Sequence, residues 1–280
     1  MRRPALPTAA ITAAIAWLVL PACSATARAA SPFPDKNLEA AIREVLKHEP
    51  KVELTDEKLQ NVYFLDASGK DIKDLTGLEK CKNLAELKLP RNKIADLKAL
   101  KDLANLQLLD LSDNAIKDIT PLANLKALQY LQLSGNQIEK LEPLSGLTNL
   151  TALDLSKNAI KDIAPLGKLT KLWTLQIAKN QVKDIKALEK LTRLSDLDLG
   201  DNKIEDVRAL TKLTELKLLI VPRNRIKDLK PLVDAAKADA AGPKLFAPYL
   251  RLYLAGNPLP DAVKKTQLAA LKQAGVRVEG

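Results

Sequence analysis

Asparagine recurs at positions 92, 114, 136, 158, 180, 202 and 224, each 22 residues after the one before. A repeat this short cannot bury its own apolar edge, so each unit is stable only when stacked on its neighbours. The surrounding apolar positions keep the same period. Leu109, Leu131, Leu153, Leu175, Leu197 and Leu219 form one column, and Ile94, Ile116, Ile138, Ile160, Val182, Ile204 and Ile226 another.

The spacing within a coil predicts its path. The step Leu131-Gln132-Leu133 has the two-residue alternation of a half-buried strand. One such strand per coil, stacked in parallel, makes a continuous sheet. The remaining apolar positions fall three apart (Ile138, Leu141, Leu144, Leu147, Leu150), which suits short 3₁₀ or irregular turns. Pro121, Pro143, Pro165 and Pro231 share a column where a fixed φ starts the turn on the far side. The asparagine amide can both donate to and accept from backbone groups that a turning, buried chain leaves unpaired. The expected fold is an α/β solenoid with a curved parallel sheet on the concave face and 3₁₀ or irregular turns on the convex face.

This frame resembles the leucine-rich repeat family, in the 22-residue class shared by bacterial internalin-like proteins and a eukaryotic phosphatase regulator. The resemblance spans residues 59–257, and the flanks are similar to the family's caps. Phe33-Pro34-Asp35, followed by the amphipathic run Asn37–Leu46, resembles a helical N-terminal cap (35–58). Gly256-Asn257-Pro258-Leu259, with a helix expected from Asp261 to Ala274, resembles a C-terminal cap (258–280). The resemblance implies a binding scaffold that uses its concave sheet face. It leaves the partner open, because a fold supplies a mode of binding and not its object.

Two positions depart from the frame. Lys70 stands where the first coil should carry asparagine. The interval from Asn224 to Asn257 is 33 residues, 11 longer than the others, and its alanine-rich stretch before Gly242-Pro243 reads as a helical turn bulging from the convex side.

The first thirty residues are a different kind of sequence. Arg2 and Arg3 precede an apolar run from Ala5 to Leu20, the layout of a secretory signal peptide (1–22), with residues 23–34 as a linker. Leu20-Pro21-Ala22-Cys23 resembles the lipobox of bacterial lipoproteins, which would make Cys23 the lipidated N-terminus. Alternatively, Ala25-Thr26-Ala27 and Ala27-Arg28-Ala29 offer cleavage sites that release a soluble protein. Either exit implies export, to the outer membrane or cell envelope or to the periplasm and beyond. The membrane is then met only through a lipid anchor. Cys81 occupies a leucine column and reads as a small buried filler with no disulfide partner.

The net charge of +10 invites a nucleic-acid reading. Lysine and aspartate alternate in the same loops, however (Lys117-Asp118, Lys161-Asp162, Lys183-Asp184), and no aromatic-plus-basic platform for bases appears. No nucleic-acid partner is expected. The aspartates of that column are expected to cap the convex turns. His48 is the single histidine, and neither metalloprotease, nucleophile-elbow nor phosphate-loop motifs occur, so neither an enzyme nor a cofactor is expected.

Individuality lies on the outward strand positions. Leu108, Asp110, Tyr130, Asp154, Asp196, Asp198, Leu218, Ile220 and Tyr253, with Trp173 at the flank, are expected to form an exposed interface of apolar and aromatic anchors among carboxylates. Acidic strand residues of this kind are also candidate calcium ligands, though no metal site is expected. Asn92, Asn114, Asn136, Asn158, Asn180, Asn202, Asn224 and Asn257 are read as a structural ladder with no ligand role. A monomer that binds a protein is the expected function, and a glycan or peptidoglycan ligand on the same face is the alternative.

Overall fold

The computed structural model describes residues 31–279. Cys23 and the two candidate cleavage sites lie outside the described residues. The described chain opens with helix α1 (Lys36–Leu46) and a single turn, α2 (Asp56–Leu59). Asp35 caps α1, its Oδ1 accepting the N–H groups of Asn37 and Leu38 at 3.0 and 3.1 Å. The other carboxylate oxygen reaches the first coil, accepting from the N–H of Lys73 at 2.8 Å and of Asp74 at 3.3 Å. Phe33 is fully buried against that coil. Gly77 makes room for it: at φ 101° it has no Cβ, and one built there would lie 2.6 Å from the Phe33 ring.

Three-residue strands follow, one per coil. They are β1 (Phe64–Asp66), β2 (Glu86–Lys88), β3 (Leu108–Asp110), β4 (Tyr130–Gln132) and β5 (Ala152–Asp154). β6 (Thr174–Gln176), β7 (Asp196–Asp198), β8 (Leu218–Ile220), β9 (Arg251–Tyr253) and β10 (Arg277–Glu279) continue the series. They form one parallel sheet in strict chain order. Register follows the repeat, so Leu65, Leu87, Leu109 and Leu131 stand in line, each pointing into the core. On the opposite side, 3₁₀ helices such as Thr120–Asn124, Glu142–Gly146 and Ala164–Lys168 carry Pro121, Pro143 and Pro165 in their first turn. Where an aspartate precedes such a turn it caps it: Asp118 and Asp162 accept from Thr120 and Ala164 N–H, each at 2.8 Å. The core between sheet and turns is a single column of aliphatic side chains that runs from Phe33 to Val276.

The asparagines stitch coil to coil. Asn136 donates its Nδ2 to the carbonyls of Leu133, in its own coil, and Leu111, in the coil before, at 3.0 and 2.9 Å. Its Oδ1 accepts from Ile116 N–H at 3.0 Å. Asn114 repeats the set one coil earlier, with Nδ2 on the carbonyls of Leu111 and Leu89 and Oδ1 on Ile94 N–H, all at 3.0 Å. Asn180 repeats it two coils later, with Nδ2 on Ile177 and Leu155 at 3.0 and 2.9 Å and Oδ1 on Ile160 N–H at 3.0 Å. The same pattern holds at Asn92, Asn158, Asn202, Asn224 and Asn257.

The ladder is not uniformly buried. Asn92, Asn136, Asn180, Asn202 and Asn224 are buried, whereas Asn114, Asn158 and Asn257 are half-buried with their bonding intact. The residue before each asparagine turns the chain inward with a left-handed φ, as at Arg91 (56°), Asp113 (52°), Lys179 (59°) and Gly256 (75°). Among the described residues no buried side-chain polar atom is left without a partner.

One expectation is corrected at the C-terminal end. The insertion is not a bulging turn. It is a full helix, α3 (Lys230–Ala241), which carries Pro231 in its first turn, where its neighbours have a 3₁₀ turn, and buries Leu232, Val233 and Ala236. The apolar column of the repeat continues at helical spacing into the alanines, so the longer element packs instead of projecting. Buried Asp239 closes it, its carboxylate accepting from the N–H groups of Leu245, Phe246 and Ala247. The terminal helix contains a π-turn, Lys264–Leu268, between α4 (Asp261–Val263) and α5 (Ala269–Gln273). The chain then adds β10, a strand that the leucine spacing does not announce, because half-buried Val278 stands where the other strands carry leucine and buried Val276 just before it lies outside the repeat frame.

Candidate functional site

Alternation in each strand sends the central leucine inward and presents its two neighbours on the concave face. Pairing aligns these neighbours into two ladders. The first runs Phe64, Glu86, Leu108, Tyr130, Ala152, Thr174, Asp196, Leu218 and Arg251. The second runs Asp66, Lys88, Asp110, Gln132, Asp154, Gln176, Asp198, Ile220 and Tyr253. Every candidate strand residue therefore lies on one continuous surface.

The aromatic residues there are open to solvent: Phe64 is 61% exposed, Tyr130 49%, Trp173 43% and Tyr253 36%. The leucine and isoleucine positions are not. Leu108, Leu218 and Ile220 are half-buried. Strands pack about 4.8 Å apart, so a short aliphatic group is flanked closely by its ladder neighbours, whereas a ring projects above them. Phe64 is an exposed ring that weighing apolar residues one by one does not single out, although it shares Tyr130's column. Trp173 lies at the flank just before β6, and Lys217 reaches across the intervening coil to place Nζ 5.7 Å from the ring centre. Ser195, the ladder residue between them, is 2% exposed. A small side chain there leaves room for the cation to stand over the ring.

The strand aspartates are held in place. Oδ1 of Asp66, Asp110, Asp154 and Asp198 accepts the backbone N–H two residues on, at 3.1, 2.9, 2.9 and 2.9 Å. Burial pushes the Asp198 carboxyl above its ordinary range, and repulsion from Asp154 and Asp201 adds to the effect. At the strand end Asp201 is paired with Arg223, Nη2 to Oδ2 at 2.6 Å, and this guanidinium holds its carboxyl below the usual range. Among the described residues no group of histidine, cysteine, aspartate or glutamate is arranged to hold a metal ion.

Elsewhere the chemistry is sparse. Cys81 is buried, and desolvation pushes its thiol up to about 12, which leaves it unreactive. A convex hollow of about 850 Å³ lies between the turns Ala164–Lys168 and Lys186–Lys190. Its walls are alternating lysines and acids such as Lys161, Asp162, Lys183 and Asp184, with no converging buried polar groups. None of the described helices is long and apolar enough to cross a membrane.

The architecture has close counterparts. The family described as Leucine Rich repeats (2 copies) matches residues 104–146, 148–190 and 174–212. The crystal structure of internalin C2 from Listeria monocytogenes is similar at 34% identity with a TM-score of 0.70, over 73% of this chain and 93% of that one. The chain belongs to the internalin-like leucine-rich-repeat proteins. A leucine-rich-repeat protein of Leptospira interrogans shares the fold at 24% identity and TM-score 0.64, over 72% of this chain and 50% of that chain. So does the functional domain of InlJ from Listeria monocytogenes, which includes a cysteine ladder, at 20% identity and TM-score 0.52, over 80% of this chain and 60% of that one. This internalin-like chain carries an asparagine ladder and one cysteine among its described residues. Comparison with curated proteins finds no match.

Proposed function

We propose that this internalin-like protein is an exported binding module that captures a protein partner on its concave face. The leucine-rich-repeat fold makes it a protein–protein interaction scaffold. The observation that carries the choice of face is the exposure of Phe64, Tyr130 and Tyr253 on one sheet, with Trp173 at its flank, while the inward leucines pack the core. Partly solvated rings on a rigid surface contribute little to the fold, and they contribute most to affinity when a partner desolvates them. Export rests on the leader-like residues 1–22 and envelope anchoring on Cys23.

The test is capture from an envelope extract with wild-type protein and with a Tyr130→Ala/Trp173→Ala variant. A protein retained by the first and lost by the second supports the reading. Glycan or peptidoglycan fragments in its place would move the function to the alternative ligand. Fractionation and intact mass of the exported chain read the anchor. Cys23→Ala should shift the protein from the membrane fraction to the soluble one, and an unlipidated terminus near Arg28 or Ala30 would remove the anchor from the account.

A further inference from the structure

We propose, resting on the concave-face reading, that the partner docks with a basic polypeptide surface, its lysines or arginines seated on Asp66, Asp110, Asp154 and Asp198. The chain as a whole is basic, at +10. Its sheet face is not: from β1 to β8 the outward positions hold Asp66, Glu86, Asp110, Asp154, Asp196 and Asp198 against Lys88 alone. Negative charge is therefore concentrated on the surface where the exposed rings lie.

What sets these carboxylates apart is their surroundings, a face whose outward positions from β1 to β8 hold one lysine. Some convex and edge acids pair with cations, as in Asp96 with Lys98 at 3.0 Å, Asp71 with Lys93 at 2.8 Å and Asp206 with Arg208. Others, such as Asp162 and Asp184, cap their turns as the ladder aspartates do but share a hollow with Lys161, Lys183 and Lys186. Among the described residues the four ladder aspartates have no such ion pair, although the molecule has cations in excess. Each engages its own turn through Oδ1 and leaves Oδ2 without a hydrogen bond to the described residues. Such a group is already oriented, so a guanidinium or ammonium meets it without the entropic loss of ordering a free side chain. The register spaces them evenly: Asp66, Asp110, Asp154 and Asp198 sit on alternate strands with Lys88, Gln132 and Gln176 between. At about 4.8 Å per strand, consecutive carboxylates lie about 10 Å apart. That is near the Debye length at physiological salt, so the repulsion between neighbours is partly screened while each still attracts a cation directly above it. The raised carboxyl of Asp198 fits this picture, since an approaching cation offsets both its burial and the fields of Asp154 and Asp201. Tyr130, between the carboxylates of β3 and β5, supplies the apolar contact that charge alone lacks.

The test uses a fluorescent twenty-residue oligolysine, with an oligoglutamate of equal length as its counterpart. Titrations compare wild type, a concave Asp110→Asn/Asp154→Asn/Asp198→Asn variant and a convex Asp96→Asn/Asp118→Asn/Asp162→Asn variant. Asparagine keeps the Oδ1 acceptor in each, and circular dichroism checks the fold. Wild type should bind oligolysine despite its own positive charge and ignore oligoglutamate. The concave variant should bind at least tenfold more weakly and the convex one as wild type. Equal binding by all three proteins, or loss in the convex variant only, overturns the proposal. Concentration-dependent self-association abolished by the concave variant would also overturn it, since the occupant would then be a second copy. The concave reading survives separately if the Tyr130→Ala/Trp173→Ala variant loses a captured partner that the concave asparagine variant retains. That result would contradict only the basic partner.

Discussion

Asn158 and Ile138 belong to successive coils, and the side-chain Oδ1 of the first accepts the backbone N–H of the second at 2.9 Å. The amide nitrogen of Asn158 completes the link through the carbonyls of Leu133 and Leu155, both at 3.0 Å. Beside the sheet pairing, one side chain ties these coils together by satisfying three groups that no strand or turn pairs.

Asn158→Ala should therefore strand buried backbone groups and cost about 1–3 kcal/mol. Lys70 occupies the equivalent place in the first coil. Its backbone N–H is met by Asn92 at 3.1 Å, and its side chain only bridges to the exposed Glu44. Lys70→Ala should stay within about 0.5 kcal/mol of wild type. Urea melts of the two variants check the contrast, and equal losses would show that the ladder amide has no special role.

The repeat made the fold legible because period, strand alternation and the proline column all point to the same stacked coil. What the spacing did not reveal lies where the period lapses. α3 looks like a loop insertion until its alanines are seen to continue the buried face of Leu232, and β10 has no leucine column to mark it. The asparagine column was legible as a ladder, but spacing treats its members alike and cannot tell half-buried Asn114 from buried Asn180. The concave candidates were likewise legible as positions and less so as exposures. Period 2 assigns Leu218 and Ile220 outward, but it cannot tell how far Asp196, Arg251, Asp198 and Tyr253 flank them. Nor does spacing distinguish a paired aspartate from an unpaired one. That difference needed the positions of the lysines.

Asp35 joins the N-terminal cap to the first coil, so it should govern stability in acid. Burial opposes its ionisation, but the backbone N–H groups of Lys73, Leu38, Asp74 and Asn37 outweigh this and hold its pKa below 3.8. A depressed carboxylate stabilises the fold above the unfolded value, and that contribution is lost as pH falls through the folded one. Asp35→Asn should cost about 1 kcal/mol at pH 7 and progressively less below about pH 3.8. Paired denaturation curves from pH 7 to 2.5 measure the gap. A gap that does not change with pH would contradict the electrostatic part of the cap.

Asp198 carries the opposite sign. Its pKa is raised above 3.8, chiefly by burial, so the folded protein binds the proton more tightly than the unfolded chain does. Stability then falls as pH rises through the window between the two values. Asp198→Asn keeps the acceptor for Gly200 N–H and removes the charge, so it should melt higher than wild type at pH 7 and match it near pH 3. A lower melting temperature at pH 7 would contradict the assignment. A rise would mark Asp198 as a group that costs stability in the free protein, as expected of a residue placed to meet a ligand.

The most direct test of the concave-face claim is titration of the captured partner against two double variants whose folds are checked by thermal melts. Tyr130→Ala/Trp173→Ala removes exposed rings from the sheet, and Lys126→Ala/Lys168→Ala changes the convex turns. The account predicts that the concave pair weakens binding by at least about 2 kcal/mol, roughly thirtyfold in Kd, with little change in Tm, and that the convex pair binds as wild type. Loss of binding in the convex pair, with the concave pair unaffected, would contradict it.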